Sequence, residues 1–203
     1  MKIKVENLSK RYNYQVVYKA LTCEFVAGKS YAILGANGGG KSTLVKNLIH
    51  YITPTEGNVK WLKDGKKLHI DQTHLHFSIV APYTEVLEEL TLLEFFKFNF
   101  KFKKSLYSIE DIIERIGLTP HRNKAISLFS SGMKQRVKLA LNLYADVEVL
   151  LFDEPTMNLD EEGIAWYQSE LAKIKKERII IIASNDLKEF DHCDEQINIL
   201  DYK

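Results

Sequence analysis

Apolar positions along the chain fall into three kinds of pattern. Ser30–Leu34 (SYAIL), Val147–Phe152 (VEVLLF) and Arg178–Ala183 (RIIIIA) are short runs rich in β-branched and aliphatic residues. They do not alternate with polar residues, which predicts parallel strands covered on both faces. Ile3–Leu8, Tyr14–Phe25 and Val59–Ile70 instead mix polar and apolar positions, which predicts a small antiparallel sheet near the N-terminus. Within the last of these, Asp64-Gly65 separates VKWLK from KKLHI, a hairpin signal because both residues tolerate the backbone a two-residue turn demands. From Thr84 to Tyr144 the spacing turns helical. Thr91 caps a helix through Leu92 and Phe96, with Glu94 at the capping-box position. Ile109–Ile116 is a second helix, ended by Gly117. Val137, Ala140, Leu141 and Tyr144 keep helical spacing in a third. The pattern predicts an α/β domain over 1–203. Its core and antiparallel β subdomain span 1–83 and 145–203, and a helical insertion spans 84–144.

Composition narrows the class. The 203 residues are 45% hydrophobic and 27% charged, enough to bury a core without staples and too apolar for a disordered chain. Lys plus Arg number 28 against 27 Asp plus Glu, so no global positive field recruits nucleic acid. Cys23 and Cys193 stand far apart and form no disulfide framework, which suits a reducing compartment. The opening MKIKVENLSKRY carries no apolar signal segment. The apolar runs fall well short of the about 20 residues that cross a bilayer. The expectation is a cytoplasmic protein whose membrane role needs a partner.

Two segments carry chemistry. Gly35-Ala36-Asn37-Gly38-Gly39-Gly40-Lys41-Ser42, followed by Thr43, fits G-x-x-x-x-G-K-[ST] between a predicted strand and a helix over Ser42–His50. Glycines let backbone N–H groups close around phosphate oxygens, and the helix start adds positive potential. Lys41 reaches the β- and γ-phosphates, and Ser42 is a Mg²⁺ ligand. Leu150-Leu151-Phe152-Asp153-Glu154-Pro155 ends a buried strand with two carboxylates. Alternation along a strand sends the two side chains to different places. Asp153 then holds the Mg²⁺ shell, and Glu154 polarises the attacking water as general base. Together these features indicate a P-loop NTPase (RecA-like) core acting as a nucleotide hydrolase or kinase.

A third segment selects among such proteins. Leu128-Phe129-Ser130-Ser131-Gly132-Met133-Lys134-Gln135-Arg136-Val137 lies ahead of the acidic strand, with a serine placed to cap the following helix. The P loop, this segment and LLFDEPTMNLD resemble the nucleotide-binding subunit of an ATP-binding cassette (ABC) transporter over nearly the whole chain. Phe129–Met133 stands where that family has Leu-Ser-Gly-Gly-Gln; Ser130 and Gly132 match, and Phe129, Ser131 and Met133 depart. The resemblance implies a dimer of cassettes, as homodimer or heterodimer, sandwiching two ATP. The signature helix start of one cassette then meets the γ-phosphate held by the other. It also implies a separate membrane permease, a peripheral position on the cytoplasmic face, and ATP with Mg²⁺ as cofactors. Tyr12 resembles the aromatic that stacks on adenine, and Asp160 in Asn158-Leu159-Asp160 the loop that crosses the dimer interface. The S-S-G-M-K-Q-R form is similar to cassettes of some export-type permeases.

The sequence departs from the family pattern at two places. The junction reads Ile79-Val80-Ala81-Pro82-Tyr83-Thr84-Glu85, putting Pro82 where the family has a Gln beside Mg²⁺ and water; Gln72 comes too early. Ser184-Asn185-Asp186 stands where Thr-His-Asp is common, so Asn185 replaces the γ-phosphate histidine. An amide still donates a hydrogen bond but carries no imidazolium charge. The expectation is an ATPase with slow or partner-dependent hydrolysis; the alternative is an ATP-gated switch or scaffold. The Phe95–Lys104 run holds five phenylalanines. It reads as a packed helix with a wet lysine side, as a contact for a permease's cytoplasmic helix, or as a base-stacking surface. His74-x-His76 and Asp191-His192-Cys193-Asp194 lack a complete ligand set with structural-zinc spacing.

Overall fold

A computed structural model describes residues 1–175, 177–190 and 192–203. The chain divides into two compact units. The first holds 1–77, 147–154 and 175–203, and the second holds 78–146 and 155–174.

In the first unit, β1 (Lys2–Tyr12) pairs antiparallel with β2 (Gln15–Val26). After β3 (Ser30–Leu34) and α1 (Lys41–Leu48) the chain returns as β4 (Glu56–Lys63), which pairs with the other edge of β1, and as β5 (Lys66–Lys67). The predicted Asp64-Gly65 hairpin forms, and both residues take positive φ (51° and 77°). Its return strand is shorter than the pattern implied, because Ile70–Leu75 curls into a 3-10 helix. One face of this four-stranded sheet is sealed by Ile3, Val5, Leu21, Phe25 and Trp61. Alternation along β1 thus reflects one dry face and one wet face.

The second sheet of this unit has the order β7-β8-β3-β9, with β7 at Val149–Asp153, β8 at Ile179–Ala183 and β9 at Glu195–Asn198; β6 (Phe77–Val80) lies where the chain passes into the second unit. β3 runs parallel to β8 and β9, and β7 parallel to β8. Every residue of β7 and β8 is buried. That explains the unbroken apolar runs, since a strand covered on both faces has no wet positions to fill. All three predicted parallel strands therefore point the same way, with the loops at their carboxyl ends on one edge of the sheet, where open α/β sheets hold ligands.

The second unit carries α2 (Leu92–Asn99), α3 (Ile109–Arg115), α4 (Ser131–Leu143) and α5 (Glu161–Ile174). Its caps follow the sequence. The Thr91 hydroxyl accepts from the Glu94 N–H at 3.3 Å, and the Glu94 carboxylate accepts from the Thr91 N–H at 2.9 Å. Ser108 and Ser130 cap α3 and α4 through the hydroxyl alone, which accepts from the Asp111 and Met133 N–H groups. On α5 the buried Glu170 accepts from the Tyr144 hydroxyl (2.9 Å) and from the part-exposed Lys173 (2.5 Å) and Arg115 (3.4 Å).

Candidate nucleotide site

The loop after β3 wraps a cradle. Gly40 caps α1 with φ 110°, and a Cβ there would lie 2.5 Å from the Val17 side chain, so both backbone and space demand glycine. The Lys41 ammonium is buried. It donates to the Gly35 carbonyl at 2.8 Å and lies 3.4 Å from Glu154 Oε1. Tyr12, Gln15 and Val17 from the β1–β2 hairpin join residues 36–43 and Glu154 around a cavity of about 430 Å³. That volume is within the range of small-molecule sites. The Tyr12 ring is half exposed, with the Lys10 ammonium 4.9 Å from its centroid.

The acidic pair divides for a reason the strand pattern does not contain. Asp153 is the last residue of β7, 1% exposed, and both of its carboxylate oxygens are buried without a hydrogen-bond partner. Burial raises its pKa, with the nearby Ser42 hydroxyl and the Lys41 charge pulling the other way. Glu154 does not continue the strand. It takes φ 51°, a left-handed conformation uncommon for glutamate, and its N–H donates to the Ala183 carbonyl at 2.9 Å. Its carboxylate thereby turns toward Lys41 and accepts a 3.5 Å bond from the Ser184 hydroxyl. Asn185, one residue on, donates its amide to Asn37 Oδ1 at 2.9 Å.

The orphaned Asp153 oxygens fit a divalent cation. A buried anionic acceptor pair beside a serine hydroxyl is the oxygen donor set that Mg²⁺ takes. Ser42 and Asp153 are the residues that would hold it. The His76 ring is already engaged by Glu148 (3.0 Å), which also takes Lys63 (2.5 Å). Among the described residues no group of three or more His, Cys, Asp or Glu is arranged to hold a metal; Asp191 of the 191–194 run lies outside them.

The signature-like segment belongs to the second unit. The Ser130 hydroxyl accepts from the Met133 N–H at 3.2 Å. Gly132 packs so closely on the 156–160 loop that a Cβ would sit 3.0 Å from the Asn158 carbonyl. Arg136 reaches Asp160 at 3.3 Å and Glu162 at 3.4 Å, and Asp160 also accepts from the Gly163 N–H at 2.8 Å. The Asn158–Asp160 loop is therefore tied to the signature-like helix. Pro82 begins a tight turn in which Thr84 N–H donates to the Ala81 carbonyl at 3.0 Å, a position suited to its fixed φ. Gln72 lies exposed in the 3-10 helix. Motif reading passed over Gln15, Val17 and Ser184. The hairpin register, which sets Tyr12 opposite Gln15, is the signal for the first two.

Comparison with known proteins agrees with this arrangement. A family model described as ABC transporter matches residues 18–157. An uncharacterized ABC transporter ATP-binding protein of Bacillus subtilis, YybJ, is 34% identical over 190 residues, covering 92% of this chain and 86% of that protein. The bacitracin transport ATP-binding protein BcrA of Enterococcus faecalis is 30% identical over 202 residues, covering 98% of this chain and 66% of its own length. The fold superimposes on a dimeric ATP-binding cassette solved with ADP and phosphate, with TM-score 0.83, 21% identity and coverage of 97% and 94%. A family match over more than half of the sequence, carried by a P loop, an acidic strand end and a capped signature-like helix, leads to one conclusion: the chain belongs to the ABC transporter family, among its ATP-binding subunits.

Proposed function

We propose that this subunit hydrolyses ATP, closes as a dimer around it, and drives a separate membrane permease. The observation that carries the reading is the Lys41–Glu154 contact at the mouth of the P-loop cavity, beside the unpartnered carboxylate of Asp153. Lys41 is positioned to exchange the Gly35 carbonyl and Glu154 for β- and γ-phosphate oxygens. Glu154, freed of that ammonium, is then available to take a proton from the attacking water, steadied by the Ser184 hydroxyl. Asn185 supplies an uncharged donor toward the γ-phosphate in place of an imidazolium. When bound through Ser42 and Asp153, Mg²⁺ would neutralise developing phosphate charge. Tyr12 offers its exposed ring to the adenine.

The permease is inferred because, among the described residues, no helix is long and apolar enough to cross a membrane, while relatives such as BcrA are named for transport. Dimerisation is supported by the dimeric cassette that shares this fold and by the capped start of α4, whose free N–H groups suit a partner's phosphate. A second reading, an ATP-gated switch with little turnover, is favoured by the engagement of Asn185 with Asn37. Steady-state Mg-ATP hydrolysis beside Glu154→Gln decides between them. Turnover that the variant abolishes supports the ATPase. ATP binding without turnover in either protein supports the switch.

A further inference from the structure

The fold splits the aromatic run on α2 into two sets. Phe95 and Phe96 are buried, and Phe96 stacks on Phe100 at 5.9 Å. Phe98 and Phe102 face solvent, 43% and 70% exposed, with their rings edge to face at 5.3 Å. A tight turn fixes the pair. The Phe102 N–H donates to the Asn99 carbonyl at 3.0 Å, and the Asn99 amide donates to the Phe95 carbonyl at 2.8 Å. Backbone bonds from Leu106 to Tyr144 and from Asp146 to Lys104, each 2.8 Å, anchor the far side. The result is an apolar projection held by backbone and side-chain hydrogen bonds.

Its own run is basic. Between Phe95 and Tyr107 the sequence holds four lysines and no acid; the acids that border it are Glu94, whose carboxylate feels the Lys97 charge, and the exposed Asp146, whose N–H donates to the Lys104 carbonyl. Lys97, Lys101 and Lys104 are exposed, and neither Lys101 nor Lys104 forms an ion pair among the described residues. An amphipathic partner helix needs an apolar groove to lie in. A projecting aromatic pair ringed by lysines matches an anionic lipid interface instead. The rings can enter the headgroup–acyl boundary while lysine stems carry ammonium groups to the headgroups. We infer that the Phe98–Phe102 knob, with Lys97, Lys101 and Lys104, is a direct membrane-surface contact for anionic lipid, in addition to any attachment through a permease.

The test is flotation of the full chain with vesicles of phosphatidylcholine alone or mixed with phosphatidylserine. The chain is expected to float with the mixed vesicles and not with the neutral ones, and to release as salt rises. Each exposed lysine near an anionic surface contributes a factor of about five, so Lys101→Gln with Lys104→Gln lowers partitioning about 25-fold. Phe98→Ser with Phe102→Ser abolishes it at moderate salt. Nucleotide binding, followed in parallel, reports folding and stays unchanged in both double variants. Absence of flotation with mixed vesicles overturns the inference, as does flotation that neither double variant reduces. Flotation that requires a permease in the vesicle also overturns it and assigns the knob to a protein. Because binding is read without turnover, failure of the hydrolysis reading leaves the result standing.

Discussion

Asp153→Asn is expected to reverse its effect on stability with and without nucleotide. The carboxylate is 1% exposed and neither oxygen has a hydrogen-bond partner. A buried unsatisfied group of this kind destabilises by about 1–3 kcal/mol, and by more when charged. An amide keeps the shape without the charge but is itself polar, so its net gain in the nucleotide-free protein is about 1–2 kcal/mol. At about 2–4 °C per kcal/mol for a chain of this size, the variant melts about 2–8 °C higher. With Mg-ATP at one hundred times its Kd the native protein gains about 2.7 kcal/mol by mass action. The variant, lacking the anionic ligand, gains little, so the order of melting temperatures inverts. pH gives an independent check. Burial raises the folded-state pKa of Asp153 above the ordinary carboxylate value, so in that acidic window the folded state binds more protons than the unfolded one. The penalty is therefore full above the raised pKa and fades as pH falls toward the ordinary value, and the Asn variant's advantage shrinks with it. Differential scanning fluorimetry across pH, with and without Mg-ATP, measures all of this. A variant no more stable than the native protein without nucleotide, or equally stabilised by Mg-ATP, refutes the reasoning.

Three further outcomes follow from the geometry. Asn185→His exchanges a neutral donor for a charged one, a difference of about 1 kcal/mol or more, and should raise turnover about tenfold on the acid side of the imidazole pKa; a flat comparison across pH shows that Asn185 does not limit turnover. Glu170→Ala leaves the buried Tyr144 hydroxyl without its acceptor and removes the partner of the part-exposed Arg115, and should lower stability by about 2 kcal/mol in chemical denaturation; a loss under about 1 kcal/mol would show the site to be solvated. Asp194 is desolvated, which alone would raise its pKa. The Ser30 N–H (2.7 Å), the Ser30 hydroxyl (2.8 Å) and Lys175 outweigh this and hold it at about 2. This stabilisation is full above the ordinary carboxylate pKa and is lost as pH falls through that value toward about 2. An Asp194→Asn variant should therefore lose stability near neutral pH and show a shallower acid transition than the native protein.

The parts of this molecule that one stretch of chain makes by itself were legible from that stretch. β7 and β8 announce themselves because both faces are dry, and the P loop because its glycines, Lys41 and Ser42 stand at fixed offsets between a strand and a helix. The short strands β6 and β9 did not stand out. Each is four residues long, and Glu195-Gln196-Ile197-Asn198 is mostly polar because an edge strand keeps wet positions. What the sequence withheld is how the loops bind one another. Strand alternation expects Glu154 to point away from Asp153 as the next residue of an extended chain. Its carboxylate instead reaches Lys41 because the backbone breaks into the left-handed region, caught by the Ala183 carbonyl and followed by the Ser184 hydroxyl. Residues about thirty positions further along supply both partners, and no local propensity encodes them. The same holds for Asn185, whose amide bonds Asn37 across 148 residues of sequence. The loops after β3, β7 and β8 thus form one hydrogen-bonded set at the carboxyl edge of the sheet. The Lys41–Glu154 and Ser184–Glu154 contacts join the P loop to the end of β8, so a phosphate that draws Lys41 away is expected to loosen the Ser184 contact as well.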